Sequence, residues 1–253
     1  YTIGFGVDGG AAFEDLLQDT ADNGDGVYIQ ADDAPQLEQA FAEIANSIVN
    51  DRELSGTGAT KLTGAGSNLL ISASFVSGTW AGRLEGYQQP YADGDVPLWD
   101  AGELLEVRDP ATRRVYTVLD TGDADGKIDN VVELTQANRA LLQPYLDVDG
   151  DATRAAEVID WTRGTDLAGY RTRDHDADGN VWKLGDIVNS SPVVVGAPNQ
   201  HYADAAYQAF VLANQARAPV VYVGANDGGL RAIDGVTGQE RWSLIPNFNL
   251  PHL

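Results

Sequence analysis

The chain opens on an alternating, β-rich pattern. "YTIGFGV", residues 1–7, predicts a buried strand, and after a glycine turn Ala11–Asn23 predicts a short helix. "GVYIQA" predicts a second strand. Asp33 then stands three residues before Gln36, with Pro35 in the first turn. That is a capping-box arrangement, in which each side chain can satisfy a free backbone amide, so a helix should begin there. Leu37, Ala40, Phe41, Ile44, Ala45 and Ile48 follow at helical spacing. Such a stripe is expected to lie against a sheet. Residues 1–50 therefore read as α/β.

After Asn50 the texture changes. "SGTGATKLTGAGSN" is rich in Gly, Ser and Thr, and residues 51–68 read as a linker or the edge of a first strand. Lys61 is no phosphate-loop lysine, because Thr60 and Leu62 flank it where a glycine and a Ser or Thr are needed. From Leu69 onward helical periodicity almost vanishes. "LLISASF", "RLEGYQ", "RRVYTVL", "SPVVVGA", "VVYVGAN", "LRAID" and "ERWSLIP" read as short strands between Gly, Asp, Asn and Pro turns. This spacing predicts a sandwich, barrel or propeller, interrupted by one helical insert, "TQANRALLQPYL".

Charge narrows the partners. Sixteen Lys and Arg against 38 Asp and Glu give a net charge of −22, whose field repels nucleic acid and anionic lipid. The same surplus makes acidic turns common by chance. The absence of cysteine removes disulfides, thiolate catalysis and Cys-based zinc sites. No apolar run approaches the ~20 residues of a membrane span, and no basic-then-apolar leader opens the chain. With no methionine and a strand under way at residue 1, the sequence reads as a piece of a longer polypeptide whose export signal would lie elsewhere.

Two acidic loops carry candidate chemistry. Calcium takes six to eight oxygens, and a chain turning about a glycine can aim side chains 1, 3, 5 and 9 and the carbonyl of 7 at one ion. In "TGDADGKID" these are Thr121, Asp123, Asp125, the Lys127 carbonyl and Asp129, with Gly126 at the turn. "DHDADGNV" offers Asp174, Asp176, Asp178 and the Asn180 carbonyl; Trp182 and Gly185 fall where closing acids would stand, unless Asp186 folds back. The competing reading of both loops is an Asp-Gly turn on a solvated edge. "DVDGD", Asp147 to Asp151, lacks the glycine at the sixth position and reads as a turn.

The last third carries more specific words. "VVYVGANDGGLRAIDGVTGQERWSLIP" has the strand, Asn-Asp-Gly-Gly turn, strand, turn and Trp242-bearing strand of a quinoprotein-type propeller blade. With "VIDWTRGTD", "WKLGDIVNSSPVVVGAP" and "WAGRLEGYQ", it makes residues 69–253 resemble the start of the propeller of PilY1/PilC-type proteins. These are type IV pilus tip adhesins and biogenesis factors. Residues 1–50 resemble the closing strand–helix–strand–helix of a von Willebrand factor A domain, which precedes the propeller in that family. The resemblance implies an exported, cell-surface protein at the pilus tip, without an active site. Its partners would be pilins and minor pilins, and a host or abiotic surface receptor. The A domain's metal-ion-dependent adhesion motif has no counterpart within residues 1–50, and the family's calcium loop would lie beyond residue 253. The spacing from Thr121 also resembles the nine-residue calcium hairpin of integrin-like propellers. The rival reading is a quinone-dependent dehydrogenase, which shares the Trp242 blade motif but needs a full ring of blades.

Other residues read as structural. His175, His201 and His252 are far apart in sequence and suit the surface. Arg163-Gly164-Thr165-Asp166 reads as a turn, and Ser190-Ser191-Pro192 lacks the glycine frame of a nucleophile elbow. Trp80, Trp99, Trp161, Trp182 and Trp242 are expected in the core or between blades.

Overall fold

The computed structural model describes residues 2–5, 11–24, 27–50, 53–61, 69–76, 78–90, 96–120, 130–175, 178–200 and 202–253. The chain divides into two units, residues 1–53 and 54–253.

In the first unit β1 (Thr2–Phe5) and β2 (Tyr28–Ala31) pair in parallel, Thr2 opposite Tyr28 and Phe5 opposite Ala31. Parallel neighbours need a crossover, and α1 (Ala11–Asn23) supplies it. The following α2 (Ala34–Asn50) starts near the expected cap. The Gln36 amide donates to Asp33 Oδ1 at 2.9 Å, while Gln36 Oε1 accepts from the amide of Asp32 at 2.7 Å, one residue earlier than a capping box on Asp33 requires. The strand–helix–strand–helix order is thus present, and among the unit's described residues those that are buried are small: Gly4, Ala21, Ala31 and Ala40. The expected stripe is corrected at Phe41, which is 59% exposed. Leu37 and Ile44 are half-buried, and the side chains of Ala45 and Ile48 lie outside the described ones.

The second unit is built on two sheets. One runs β3 (Glu53–Lys61), β4 (Leu69–Val76), β5 (Ala81–Gln88), β6 (Trp99–Asp100) in spatial order. The other has the order β8–β7–β12–β11–β10–β9, from β7 (Val115–Leu119), β8 (Asn130–Glu133), β9 (Val193–Val195), β10 (Val220–Gly224), β11 (Leu230–Asp234) and β12 (Glu240–Leu244). Strands β9 to β12 form an antiparallel meander, as the blade pattern predicts. Turn chemistry sets its register: Gly228 and Gly238 have φ of +83° and +72°, and Asp234 Oδ1 accepts from the amides of Val236 and Thr237. Trp242 lies opposite Ala232, and its ring reaches Tyr222 on the strand beyond, 5.9 Å between centroids.

The sheets share a core in which Ile71 and Leu84 meet Leu184, Ile187, Val221 and Ile233. A second core lies under β7 and β8, where Val115, Leu119 and Leu134 pack on Leu142, Val158 and Ile159. The last two belong to α5 (Ala152–Arg163), which follows α3 (Ala101–Glu106) and α4 (Arg139–Leu142). With α6 (Ala205–Asn214) these helices correct the expectation that helical structure beyond residue 69 is confined to residues 135–146. Asp151, read as part of a turn, caps α5 by accepting from the amides of Thr153 and Arg154. The helix ends at Gly164, where φ is +117°, so Arg163-Gly164-Thr165-Asp166 is its C-terminal turn.

No helix among the described residues is long and apolar enough to cross a membrane.

Candidate functional site

A cleft of about 170 Å³ lies in the second unit, between the start of β7, the end of α5, the segment 171–186 and the β10–β11 turn. Its lining includes Arg113, Arg171, Arg173, Lys183 and Arg231, five of the chain's 16 Lys and Arg. Among the described acidic residues only Asp186 and Asp227 line it. In a protein of net charge −22, that is a local reversal of sign.

Most of these cations are held in place from behind. Arg113 makes a fork with Glu240, Nε to Oε2 at 2.9 Å and Nη2 to Oε1 at 2.8 Å, and Nη1 donates to the Arg163 carbonyl. Burial alone would raise the Glu240 carboxyl, but Arg113 above all, with Arg231 and Arg108, holds it below its ordinary value. The Arg173 guanidinium lies 4.1 Å from the Trp161 ring centroid, and its Nη2 donates to the Trp161 carbonyl. Lys183 Nζ donates to the carbonyls of Glu106 and Val181 at 2.7 and 2.8 Å. Burial, then repulsion from Arg113 and Arg173, pushes its ammonium down to about 8.

Arg231 differs. Its Nη2 donates to Asp227, but Nη1 and Nε lack a hydrogen-bond partner although the residue is only 3% exposed. Ser243 Oγ, fully buried and also lining the cleft, is unpartnered as well. Gly229 makes the arrangement possible, because a Cβ there would collide with Arg231 Nη1.

Three tryptophans form the walls: Trp80, Trp161 and Trp182. Trp161 and Trp182 are half-buried, but Trp80 is 49% exposed, which corrects its expected place in the core or between blades. Trp80 also adopts φ +58°, a left-handed conformation that costs a non-glycine residue roughly 1–2 kcal/mol. One face of its ring stacks on Phe75 at 5.7 Å.

The acidic loops fare differently. Thr121, Asp123, Asp125, Lys127 and Asp129 all lie outside the described residues, as do Asp176 and His201. The rest of the later loop is described, and it closes by a bond from the Trp182 amide to the Arg173 carbonyl, 2.9 Å. Asp174 Oδ2 accepts from the Gly179 amide, and Asp178 accepts from the amide and side chain of Asn180. Asp174 Oδ1 is buried without a hydrogen-bond partner. Asp186 does not fold back onto this loop; its carboxylate takes the Asn226 side chain at 2.6 Å. Among the described residues no three His, Asp or Glu side chains are grouped to hold a metal. Ser190 Oγ accepts from the Gly224 amide at 3.0 Å, a strand-fixing bond.

The cleft cations escape sequence reading because they are scattered from residue 113 to residue 231. The available signal is the pair of words "VIDWTRGTD" and "WKLGD", which place Trp161, Trp182, Lys183 and Asp186 on the lining.

Residues 184–250 match the family model described as the PilY1 β-propeller domain, a span that contains Arg231 and Ser243. A type IV pilus biogenesis factor PilY1 homolog from Xylella fastidiosa is 33% identical over 92% of this chain and 18% of its own length. Type IV pilus biogenesis factor PilY1 from Pseudomonas aeruginosa strain UCBPP-PA14 is 34% identical over 91% of this chain and 21% of its own. The protein of strain PAK is 30% identical over the same shares. The chain thus spans about a fifth of the length of these curated relatives. No solved structure matches it. With its Trp242-bearing meander inside the matched span and its likeness to those factors over nine-tenths of its residues, the chain is of the PilY1 type.

Proposed function

We propose that this chain works as part of a type IV pilus biogenesis factor, at the cell surface and at the pilus tip, where it supports assembly and attachment without catalysing a reaction. The observation that carries this reading is the identity of 30–34% to three curated pilus biogenesis factors over about nine-tenths of the chain. Its partners would be pilins and minor pilins, and the receptor a host or abiotic surface. Residues 1–50, with their strand–helix–strand–helix order, would be the closing part of a von Willebrand factor A domain, and residues 69–253 the opening blades of the propeller.

Calcium is part of the proposal. Asp174 Oδ1, a buried acceptor without a donor, is what a cation in the 174–180 loop would satisfy. Asp174, Asp176, Asp178 and the Asn180 carbonyl would hold one ion. Thr121, Asp123, Asp125, the Lys127 carbonyl and Asp129 would hold another. An ion there neutralises carboxylates that otherwise repel, so its binding adds to the stability of the loop.

The test is in-frame deletion of the gene with complementation, reading pilin sheared from the cell surface against pilin in whole cells. The proposal expects surface pilin to fall severalfold while the cellular pool persists. Unchanged surface pilin in the deletion strain would refute it.

A further inference from the structure

The cleft is equipped for a ligand that no pilus-assembly role requires. Its lining holds the guanidinium of Arg231, whose Nε faces Glu240 but whose Nη1 keeps two N–H donors without a partner, and opposite it on the next strand the free Ser243 hydroxyl. Leaving buried donors unmade costs roughly 1–3 kcal/mol each, so a fold that keeps two such side chains on one lining has a reason to keep them. The N–H groups of Nη1 and the hydroxyl of Ser243 are donors suited to the two oxygens of a carboxylate. The surrounding cations favour an anion, while the acidic exterior excludes polyanions such as nucleic acid.

The walls add a second requirement. Trp80 is held half-exposed at a left-handed φ, and Trp161 and Trp182 belong to the same lining. Indole faces stack on flat, weakly polar rings, among which the C–H face of a pyranose qualifies. Size is the third constraint. About 170 Å³ is well below the ~300 Å³ at which drug-sized ligands begin, and suits a single sugar ring.

We propose that this cleft binds an acidic monosaccharide unit, a hexuronate, with its carboxylate on Arg231 and Ser243 and its ring against the tryptophans. The assignment goes beyond the pilus role and stands or falls separately from it.

The test is calorimetric titration of the full chain with glucuronate, with glucose and acetate as controls for charge and ring. Glucuronate should bind saturably, and glucose and acetate each at least tenfold more weakly. Trp80→Gly removes one wall and suits the left-handed backbone, so the variant should fold and yet lose about tenfold in affinity. Arg231→Lys keeps the charge but removes the Nη1 donors; a folded variant should lose at least as much. Absence of saturable glucuronate binding overturns the proposal, as does equal binding of glucose or acetate. Unchanged affinity in a folded Trp80→Gly chain overturns it too.

Discussion

Arg113 and Glu240, 127 residues apart in sequence, meet in a two-bond fork with side chains 1% and 0% exposed. Arg231 Nε lies 3.6 Å and Arg108 Nη1 3.8 Å from the same carboxylate. One buried carboxylate therefore serves three guanidinium groups, joining the start of β7 to β11 and β12. Removing it leaves Arg113 buried and uncompensated, with Arg231 reduced to its pair with Asp227, which typically costs about 3–5 kcal/mol. Glu240→Ala and Glu240→Gln should both lower the urea midpoint strongly. Arg241→Ala, which breaks a half-exposed pair with Asp234, should cost less than about 1 kcal/mol. Equal losses in the two sets would contradict this arrangement.

Asp100 predicts a pH dependence. It caps α3 by accepting from the Gly102 amide at 2.7 Å and pairs with Arg83 at 2.9 Å, yet burial dominates and pushes its carboxyl up to about 6 from 3.8. A folded pKa above the unfolded one means that the native state binds the extra proton. The resulting stability is fully present below pH 3.8 and is lost as pH rises through about 6. The shift corresponds to about 3 kcal/mol at ~1.4 kcal/mol per pH unit. Asp100→Asn keeps a capping oxygen and cannot ionise. Its melting temperature relative to wild type should therefore rise between pH 4 and pH 7.5; a constant difference would contradict the burial argument.

The strands and turns of residues 69–253 were legible because alternation, Gly-Asp turns and Trp242 act locally. Helix α5 was not, although Ala155, Val158 and Ile159 form a short apolar stripe between Asp151 and Gly164. Arg154, Glu157 and Asp160 on its other face mask that stripe in so polar a stretch. The cleft was harder still. Its cations come from the lead-in to β7, the segment 171–186 and β11, and only tertiary pairing with Glu240 brings Arg113 to Arg231. Phe41 and Trp80 were misread for one reason: a pattern gives periodicity, whereas exposure depends on what the rest of the fold covers.

Two glycines separate backbone strain from crowding. Gly150 and Gly238 both have left-handed φ, +76° and +72°. A Cβ at Gly150 meets nothing within 4 Å, whereas at Gly238 it would lie 2.7 Å from Trp99, which is buried. Gly150→Ala should cost about 1–2 kcal/mol from conformation alone, and Gly238→Ala about 2–4 kcal/mol with overpacking added. Denaturant titration of the two variants checks the order.

Calcium removal tests the acidic loops. An ion at 100 times its dissociation constant stabilises the native state by about 2.7 kcal/mol, which moves the melting temperature of a chain this size by several degrees. A chelator should therefore lower the transition, calcium but not sodium should restore it, and Asp125→Asn with Asp174→Asn should abolish the response. An identical transition with and without chelator, and no calcium heat by calorimetry, would remove both loops as sites.

The most direct measurement of pilus membership is where the protein travels when pili are sheared from cells. Immunoblots of the sheared fraction should show it with the pili of wild-type cells and lose it from that fraction in a strain lacking the major pilin. Retention in the cell envelope of both strains, with none in the pili, would contradict the account.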